Sequence, residues 1–291
     1  MQSDDIQQVR RFNRLVTRRI GALGDSYLAR GRPLGEARLI FELGSGGASD
    51  LGTLRQRLGL DSGYLSRLLR SLENQGVVEL QKSREDGRAR DVALTAKGRE
   101  EFSAYDTLSD TFACDLLAPL GDAQRQRLVA AMGEVERLLR AACVTIAPEA
   151  ADSADARRCL DAYIGELAER FEGGFEGGSF GTADMTPPVG WLLLARLDGE
   201  AVGCGALKRL DAATGEIKRV WISPATRGMG VAARLMDRLE ALAGEIGCQR
   251  VLLDTNRTLT EAKAMYLKRG YGEIGRYNDN PYADHWFEKR F

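Results

Sequence analysis

A change in the spacing of apolar residues divides this 291-residue chain and limits what it can fold into. Up to about residue 143, apolar residues recur at helical spacing, interrupted by two alternating segments, VVELQ and DVALT. After Pro148, short segments typical of strands alternate with helical segments. The length allows two ordinary domains. We therefore predict a mainly helical domain over 1–143 and an α/β domain with a mixed central sheet over 144–291.

Composition excludes several classes of protein. The chain is 44% hydrophobic and 29% charged, as soluble globular proteins are, and no apolar run approaches the roughly 18 residues of a membrane helix. The N-terminal segment MQSDDIQQVRRFNRLV has no signal-peptide core, so we expect a cytoplasmic protein without membrane contact. Five scattered cysteines and a single histidine predict reduced thiols and no metal site.

A helix, a tight turn and a second helix over residues 51–75 form the clearest motif of the first half. In the second helix Leu65, Leu68, Leu69 and Leu72 lie at i, i+3, i+4 and i+7, a stripe that faces a core. The opposite face carries small residues and arginines that suit a DNA major groove, namely Ser62, Gly63, Ser66, Arg67 and Arg70, with Tyr64 near its edge. An ordinary solvated helix face would look the same.

The two alternating segments that follow predict a basic β-hairpin. Asp86-Gly87 between them is a strong hairpin signal. Residues 55–99 hold 10 Lys and Arg against 6 Asp and Glu. Basic side chains on a hairpin beside a recognition helix can contact the minor groove or the DNA backbone, and we assign this role to Arg84, Arg88 and Arg90. Asp86 could instead pair with an arginine and hold the shape of the hairpin.

Together these segments resemble the MarR family of transcriptional regulators over about residues 5–143. The family's wing pattern, D-x-R-x-x-x-x-x-L-T-x-x-G, is met by Asp86, Arg88, Leu94, Thr95 and Gly98. The resemblance implies a winged helix-turn-helix fold and a homodimer held by the N-terminal and last two helices. It also implies a pseudo-palindromic double-stranded DNA operator and a small-ligand pocket between the dimer helices and the DNA-binding lobe.

In the second half, the stretch SPATRGMGVAARL places an arginine and two glycines ahead of an apolar helix face. Gly228 and Gly230 let the backbone approach a ligand without a Cβ clash, and a helix N-terminus of this kind binds anions, above all phosphates. The guanidinium of Arg227 adds paired hydrogen-bond donors that suit an oxyanion. A Rossmann loop would need a third glycine where Ala233 stands, and no Walker G-K-[ST] occurs.

The segments around this loop resemble the GNAT acetyltransferases over about residues 144–291. Arg227, Gly228, Gly230 and Ala232 match the R-G-x-G-x-A loop, and the later A-x-x-x-Y-x-x-x-G-[FY] block is met by Ala262, Tyr266, Gly270 and Tyr271. The resemblance implies acetyl-CoA as co-substrate, with its pyrophosphate on Arg227, Gly228, Met229, Gly230, Val231 and Ala232. The pantetheine would lie along the backbone of Val220, Trp221 and Ile222. Many members have Asn seven residues before the tyrosine; Leu259 stands there, which leaves Asn256 as the candidate.

Acyl transfer needs a neutral amine and a proton donor for the departing thiolate. Tyr266 matches the general acid of the family, and an ordinary pKa of about 10 suits that role. Glu216 could act as a base through water. Tyr266 could equally pack on its helix, and Glu216 could be an exposed carboxylate at a strand end. The segment RYNDNPYADHWF is expected to shape the acceptor pocket through Tyr277, Asn278, Asp279, Tyr282, His285 and Trp286, with His285 either a base or a structural residue.

Three functions fit these residues. The first is a transcriptional regulator that is also an acetyl-CoA-dependent N-acetyltransferase of a primary amine, on a small molecule or a protein lysine. The second is a MarR-type regulator whose GNAT domain only senses acetyl-CoA or a metabolite. The third is an enzyme in which the winged helix only dimerises. The intact loop and Tyr266 favour the first over the second, and Arg67, Arg70 and Arg88 favour it over the third.

Overall fold

The computed structural model of the protein describes residues 3–21, 26–82, 90–177 and 180–291. The chain divides into two compact units, Met1–Val129 and Ala130–Phe291. None of the described helices is both long enough and apolar enough to cross a membrane.

The first unit is mainly helical and contains one small sheet. Its helices are α1 Ser3–Arg19, α2 Leu34–Gly46, α3 Leu51–Leu58, α4 Ser62–Asn74, α5 Ala96–Leu117 and the start of α6, Asp122–Cys143. The strands β1 Ser49–Asp50, β2 Val78–Lys82 and β3 Arg90–Leu94 form an antiparallel sheet in the order β1-β3-β2.

Side-chain caps fix where the helices of this unit begin. The Asp50 carboxylate accepts hydrogen bonds from the amides of Gly52 and Thr53 at the start of α3, and Asp61 accepts one from Tyr64 at the start of α4. The predicted apolar stripe of α4 is confirmed, because Leu65, Leu68 and Leu72 are buried in one core with residues of α2, β2 and β3. The other face of α4 is therefore left to solvent.

The helical spacing of apolar residues over 6–30 predicts one long helix at the start of the chain, and this prediction is wrong in its length. The helix ends at Arg19, and a separate 3-10 turn follows at Tyr27–Ala29. Gly21 has φ of 66°, a left-handed conformation that an α-helix cannot contain. The remaining predicted helices and strands agree with the structure to within a few residues.

The second unit is built on one mixed sheet. Its strands run in the order β4-β5-β6-β7-β8-β10-β9, with bounds β4 Thr145–Glu149, β5 Gly190–Leu197, β6 Glu200–Arg209, β7 Thr214–Ile222, β8 Arg250–Thr255, β9 Gly272–Ile274 and β10 His285–Arg290. The helices are α7 Ala154–Arg170, α8 Val231–Glu245 and α9 Thr260–Lys268. Only β7 and β8 pair in parallel; the other neighbours are antiparallel.

The sheet is covered on both faces, which explains why β5 reads as a continuous apolar run. Leu193 and Ala195 join the core beneath α8, whereas Leu192 and Leu194 join a second cluster with residues of α7. The predicted α/β fold with a mixed sheet is confirmed.

The division between the two units falls within α6. Ala141 near its end is buried in the core of the second unit, next to Val144. The guanidinium of Arg234, in the first turn of α8, donates to the carbonyls of both residues, at 2.6 Å to that of Val144. The second half of α6 thus belongs structurally to the sheet domain, while a domain boundary at residue 143 stays a prediction.

Candidate active site and nucleic-acid interface

A gap between β7 and β8 opens a cavity in the second unit. The two strands pair only over Thr214–Glu216, and among the described residues no strand pairs with the same side of β7 beyond that point. The cavity, of about 410 Å³, is lined by residues of α7, β7, β8 and α9 and of the loop before β10. The free edge of β7, which includes Val220, Trp221 and Ile222, can hydrogen-bond an extended ligand.

The loop between β7 and α8 presents unpaired backbone amides. Gly228 and Gly230 both have φ of 76°, and Gly230 is the N-cap of α8. In the hydrogen bonds of the described residues, the amides of Gly228, Gly230, Val231 and Ala232 have no partner. Met229 and Val231 anchor the loop, because their side chains are buried in the core. Free amides at a helix N-terminus form a site for an anion.

Arg227 is held beside this loop by a carboxylate of α7. Its Nε donates to the carbonyl of Ile222 at 3.1 Å, and its Nη2 donates to Glu166. The indole Nε1 of Trp221 donates to the same carboxylate at 2.8 Å. Burial raises the pKa of Glu166, but the hydrogen bonds from Arg227 and Trp221 outweigh it and hold the pKa below its usual value. The positive charge of Arg227 therefore stays next to the loop.

Tyr266 lies on α9 and lines the cavity. It is buried, with its ring centroid 5.8 Å from that of Tyr271 and 6.0 Å from that of Phe287. Burial raises its pKa well above the ordinary value. The pKa is thus not the ordinary value that the sequence leads us to expect: the hydroxyl is protonated at neutral pH but is a weaker acid, and the same packing serves the core.

A network of two carboxylates and a lysine forms the polar wall of the cavity. Glu216 is only 5% exposed and accepts a hydrogen bond from the Tyr277 hydroxyl at 2.8 Å. The Lys218 Nζ lies 3.2 Å from Glu216 and 2.8 Å from Asp254. Asn278 Nδ2 donates to both carboxylates, at 3.2 and 2.5 Å. One ammonium thus faces two carboxylates, which leaves an excess of negative charge. Glu216 is not the exposed strand-end residue of the alternative interpretation.

Sequence reasoning missed Asp254 and Lys218 as site residues. The available signal was a charged side chain beside apolar strand residues, Lys218 in EIKRVWI and Asp254 in VLLDT. The structure pairs them across the gap between β7 and β8.

The C-terminal segment contributes part of the predicted acceptor pocket. Asn278, Asp279 and Tyr282 line the cavity, and Trp286 supports Asn278 through a hydrogen bond of 2.9 Å. His285 does not line it. Its Nδ1 lies 2.6 Å from Glu273 Oε1 and 3.1 Å from Lys263 Nζ. These contacts favour a structural role for His285 over a role as a base.

Asn256 lines the cavity, but its side chain is already engaged. Its Nδ2 donates to the carbonyl of Tyr282 at 2.7 Å, and its Oδ1 accepts from the amide of Thr258 at 2.9 Å. It thereby ties the loop after β8 to the segment before β10. A contact of this side chain with acetyl-CoA stays a prediction.

The predicted DNA-contacting face of α4 is exposed. Ser62, Ser66, Arg67 and Arg70 lie exposed on the side of the helix away from its core, and Tyr64 lies at the edge of this face, with its hydroxyl close to Gly35 of α2. The Arg67 guanidinium stacks 5.6 Å from the centroid of the Tyr64 ring. On the hairpin, Arg90 pairs with Lys82 through the backbone of β3 and β2, while Arg84 and Arg88 lie outside the described residues. Within the described residues, no three His, Cys, Asp or Glu side chains could hold a metal ion.

Comparison with known proteins identifies both halves of the chain. The acetyltransferase (GNAT) family matches residues 160–271, and the MarR family matches residues 30–89. An IAA acetyltransferase of Azospirillum brasilense is 36% identical over 93 residues, which cover 31% of this chain and 61% of that protein. An uncharacterised N-acetyltransferase of Mycobacterium tuberculosis is 32% identical over 106 residues, covering 34% of this chain and 68% of that protein.

The first half has a relative of its own. An uncharacterised HTH-type transcriptional regulator of Bacillus subtilis is 30% identical over 76 residues, covering 26% of this chain and 46% of that protein. Both predicted resemblances are confirmed, and GNAT acetyltransferases use acetyl-CoA. The chain therefore belongs to the GNAT acetyltransferase family and carries a MarR-family domain ahead of its GNAT domain.

Proposed function

We propose that the protein is a MarR-type transcriptional regulator that also transfers the acetyl group of acetyl-CoA to a primary amine. One observation carries the enzymatic part. A protonated, buried tyrosine and a carboxylate network face the same cavity, in the gap between β7 and β8. A sensor of acetyl-CoA would need the phosphate loop and the strand edge, but not these proton-transfer groups.

The residues present fit acetyl-CoA. The free amides of Gly228, Gly230, Val231 and Ala232, with Arg227 beside them, would hold the pyrophosphate. The free edge of β7 at Val220, Trp221 and Ile222 would hydrogen-bond the pantetheine arm. The thioester would then reach the cavity near Tyr266.

In the proposed reaction the acceptor nitrogen attacks the thioester carbonyl. A C–N bond forms, the C–S bond breaks, and two protons move. The nitrogen loses its proton to the carboxylate of Glu216, directly or through water, and the departing thiolate takes the proton of the Tyr266 hydroxyl. Tyr277 and Asn278 hold the Glu216 carboxylate in place.

The regulatory part rests on the exposed polar face of α4 and on the predicted wing. We propose that Ser62, Tyr64, Ser66, Arg67 and Arg70 read an operator, with Arg84, Arg88 and Arg90 on its backbone or minor groove. α1 supports the proposed homodimer, because it has no buried residue and exposes Ile6, Val9, Phe12 and Leu15 by 42–57%. A second copy of the chain would cover this apolar face.

Two measurements separate the three functions. Thioester cleavage, followed with free-thiol detection over a panel of amines and by mass of the product, should reveal an acetylated amine. Binding of acetyl-CoA without turnover of any amine would leave only the sensor. Gel shift on DNA upstream of the protein's own gene should give a specific complex; its absence would reduce the winged helix to a dimerisation module.

A further inference from the structure

The cavity contains a buried cation that the proposed proton transfers do not use. Arg219, on β7, is 8% exposed and lines the cavity. Its guanidinium carbon lies 5.3 Å from the ring centroid of Tyr163, 5.7 Å from that of Phe175 and 5.5 Å from that of Phe180. Its Nη2 donates to the carbonyls of Gly177 and, at 2.9 Å, Phe180.

Arg219 has no carboxylate partner among the described residues, unlike Lys218 one position before it. Positions 178 and 179 of the neighbouring loop, outside the described residues, are glycine and serine, so their side chains carry no carboxylate. Burial of a charge without a counter-charge is costly, and aromatic rings and carbonyls offset that cost only in part. The Tyr163 side chain also hydrogen-bonds Arg219, so the neutral groups around this guanidinium are a phenol, two carbonyls and aromatic rings.

Backbone geometry directs Arg219 to this place. Its φ of 58° is left-handed, and the register between β6 and β7 shifts at this point, between Cys204 and Ala206. Such a bulge turns a side chain away from the simple alternation of a strand. An arginine accepts this strained conformation only where the surrounding structure imposes it.

From these contacts we infer that the acceptor carries a carboxylate, bound by Arg219, in addition to its amine; this rests on the proposed function. Glu216 and Asp254 line the same cavity and suit the amine. A monoanionic carboxylate fits better than a phosphate, because these two carboxylates would repel a second negative charge more strongly. The remaining wall is aromatic, formed by Tyr163, Phe171, Phe175, Phe180 and Tyr282. The substrate class is therefore an amino acid with an apolar or aromatic body.

This assignment disfavours two other classes of acceptor. A polyamine would place further positive charge against Arg219 and Lys218. A protein lysine would leave Arg219 without a partner, since its side chain carries no carboxylate. A cavity of about 410 Å³ also lies within the usual range for small-molecule sites.

The test compares phenylalanine, tyrosine and tryptophan with their carboxamides, which retain the amine and the aromatic body. We expect at least one of the three acids to exceed its amide by at least about tenfold in kcat/KM, the effect of one charge-assisted hydrogen bond. Arg219→Gln should bring this ratio close to one by lowering only the value for the acid. Arg219→Lys, which keeps the charge but loses the fork, should give an intermediate ratio.

A matched control distinguishes recognition of the acceptor carboxylate by Arg219 from support of the loop at Gly177 and Phe180. Arg209 also stacks on an aromatic ring, 5.8 Å from the Trp191 centroid, and donates to a backbone carbonyl, but it does not line the cavity. Arg209→Gln should leave the acid-to-amide ratio unchanged. If Arg219→Gln lowers kcat/KM equally for acids and amides, Arg219 only supports the loop and the inference is wrong.

Calorimetry with CoA present separates this inference from the proposed function. If the protein binds an acid but not its amide and turns over neither, the carboxylate subsite is supported and the proposed transferase activity is wrong. If the wild-type protein acetylates amines but does not prefer acids over amides, the transferase activity stands and the carboxylate subsite is wrong. This result comes from the wild-type protein alone, so it does not depend on whether a variant folds.

Discussion

At the scale of single residues, Tyr266 is the side chain with the clearest chemical assignment. Its burial raises the pKa, so that the hydroxyl remains protonated over the whole physiological range. We expect Tyr266→Phe to lower kcat by roughly 10- to 1000-fold, the range of lost general acid catalysis, with little change in acetyl-CoA affinity. Stopped-flow thioester cleavage and calorimetry measure the two quantities.

Tyr271 provides the control for this substitution. It is an equally buried tyrosine whose ring neighbours that of Tyr266, but its hydroxyl donates to Glu240 at 3.1 Å and it does not line the cavity. Tyr271→Phe should leave kcat nearly unchanged. Equal effects of the two substitutions would reduce Tyr266 to a packing residue.

The sequence predicts some of these residues and not others for a physical reason. Tyr266 and the glycine loop follow from local patterns, because each is defined by neighbours within about ten residues. Asp254 and Lys218 are 36 residues apart and meet only through the parallel pairing of β7 and β8. Arg219 is concealed further, since simple strand alternation would place it on the face opposite Lys218, and the register shift opposite Gly205 appears only once β6 and β7 are paired.

At the scale of elements, the turn from β7 into α8 can be tested on its own. Gly228→Glu or Gly230→Glu should abolish acetyl-CoA binding, because each places a negative side chain where the phosphate would lie and each strains a left-handed backbone. Calorimetry with CoA measures the loss. DNA binding should survive in both variants.

The other end of α8 supplies the control. Gly247 is also left-handed, with φ of 89°, and a Cβ there would meet nothing within 4 Å. Gly247→Glu carries the same charge and similar strain away from the loop, so it should retain CoA affinity. Unchanged affinity in both loop variants would refute the phosphate assignment.

The helix α4 and the predicted wing should respond differently to loss of an arginine. Arg67→Ala should reduce discrimination among DNA sequences, at a cost of about 1–3 kcal/mol at one base pair if the contact is bidentate. Arg88→Ala should weaken binding to specific and random duplexes alike. It should also reduce the slope of log affinity against log salt concentration by about one unit. Fluorescence anisotropy over a salt series distinguishes the two patterns.

The exposed Arg127 of α6 controls for the loss of one positive charge. Arg127→Ala should leave both the affinity and its salt slope almost unchanged. If the Arg67 and Arg88 variants bind the operator as tightly as the wild type at every salt concentration, the winged helix is not the element that recognises DNA.

At the scale of the whole molecule, α6 contacts the loop between β7 and α8. Arg137 of α6 donates to the carbonyl of Gly228, and its other nitrogens bind Glu134. We expect acceptor or acetyl-CoA binding to change operator affinity by roughly 5- to 150-fold, and operator DNA must then shift the ligand's Kd by the same factor. Titrations with and without saturating operator test this; equal constants would show that the two activities are independent.

Fragments of the chain should reveal how much of α6 the sheet domain requires. A fragment of residues 144–291 lacks Ala141 and the carbonyl that accepts from Arg234, whereas a fragment of residues 130–291 keeps both. The shorter fragment keeps only the Val144 carbonyl as an acceptor for Arg234, so we expect it to be less stable by about 1–3 kcal/mol, from one lost hydrogen bond to a charged group and the lost burial of Ala141. Urea unfolding measures the difference, and coincident curves would contradict it.

The position of α6 also bears on how such a gene could be rearranged. A recombination event that exchanged the regulatory half at codon 144 would remove a helix that the acetyltransferase uses in its own core. A junction ahead of codon 130 would carry that helix along with the enzyme. The last turns of a helix that by resemblance belongs to the regulator are therefore inherited with the catalytic half, and swaps of DNA-binding specificity between such proteins should be tolerated only upstream of them.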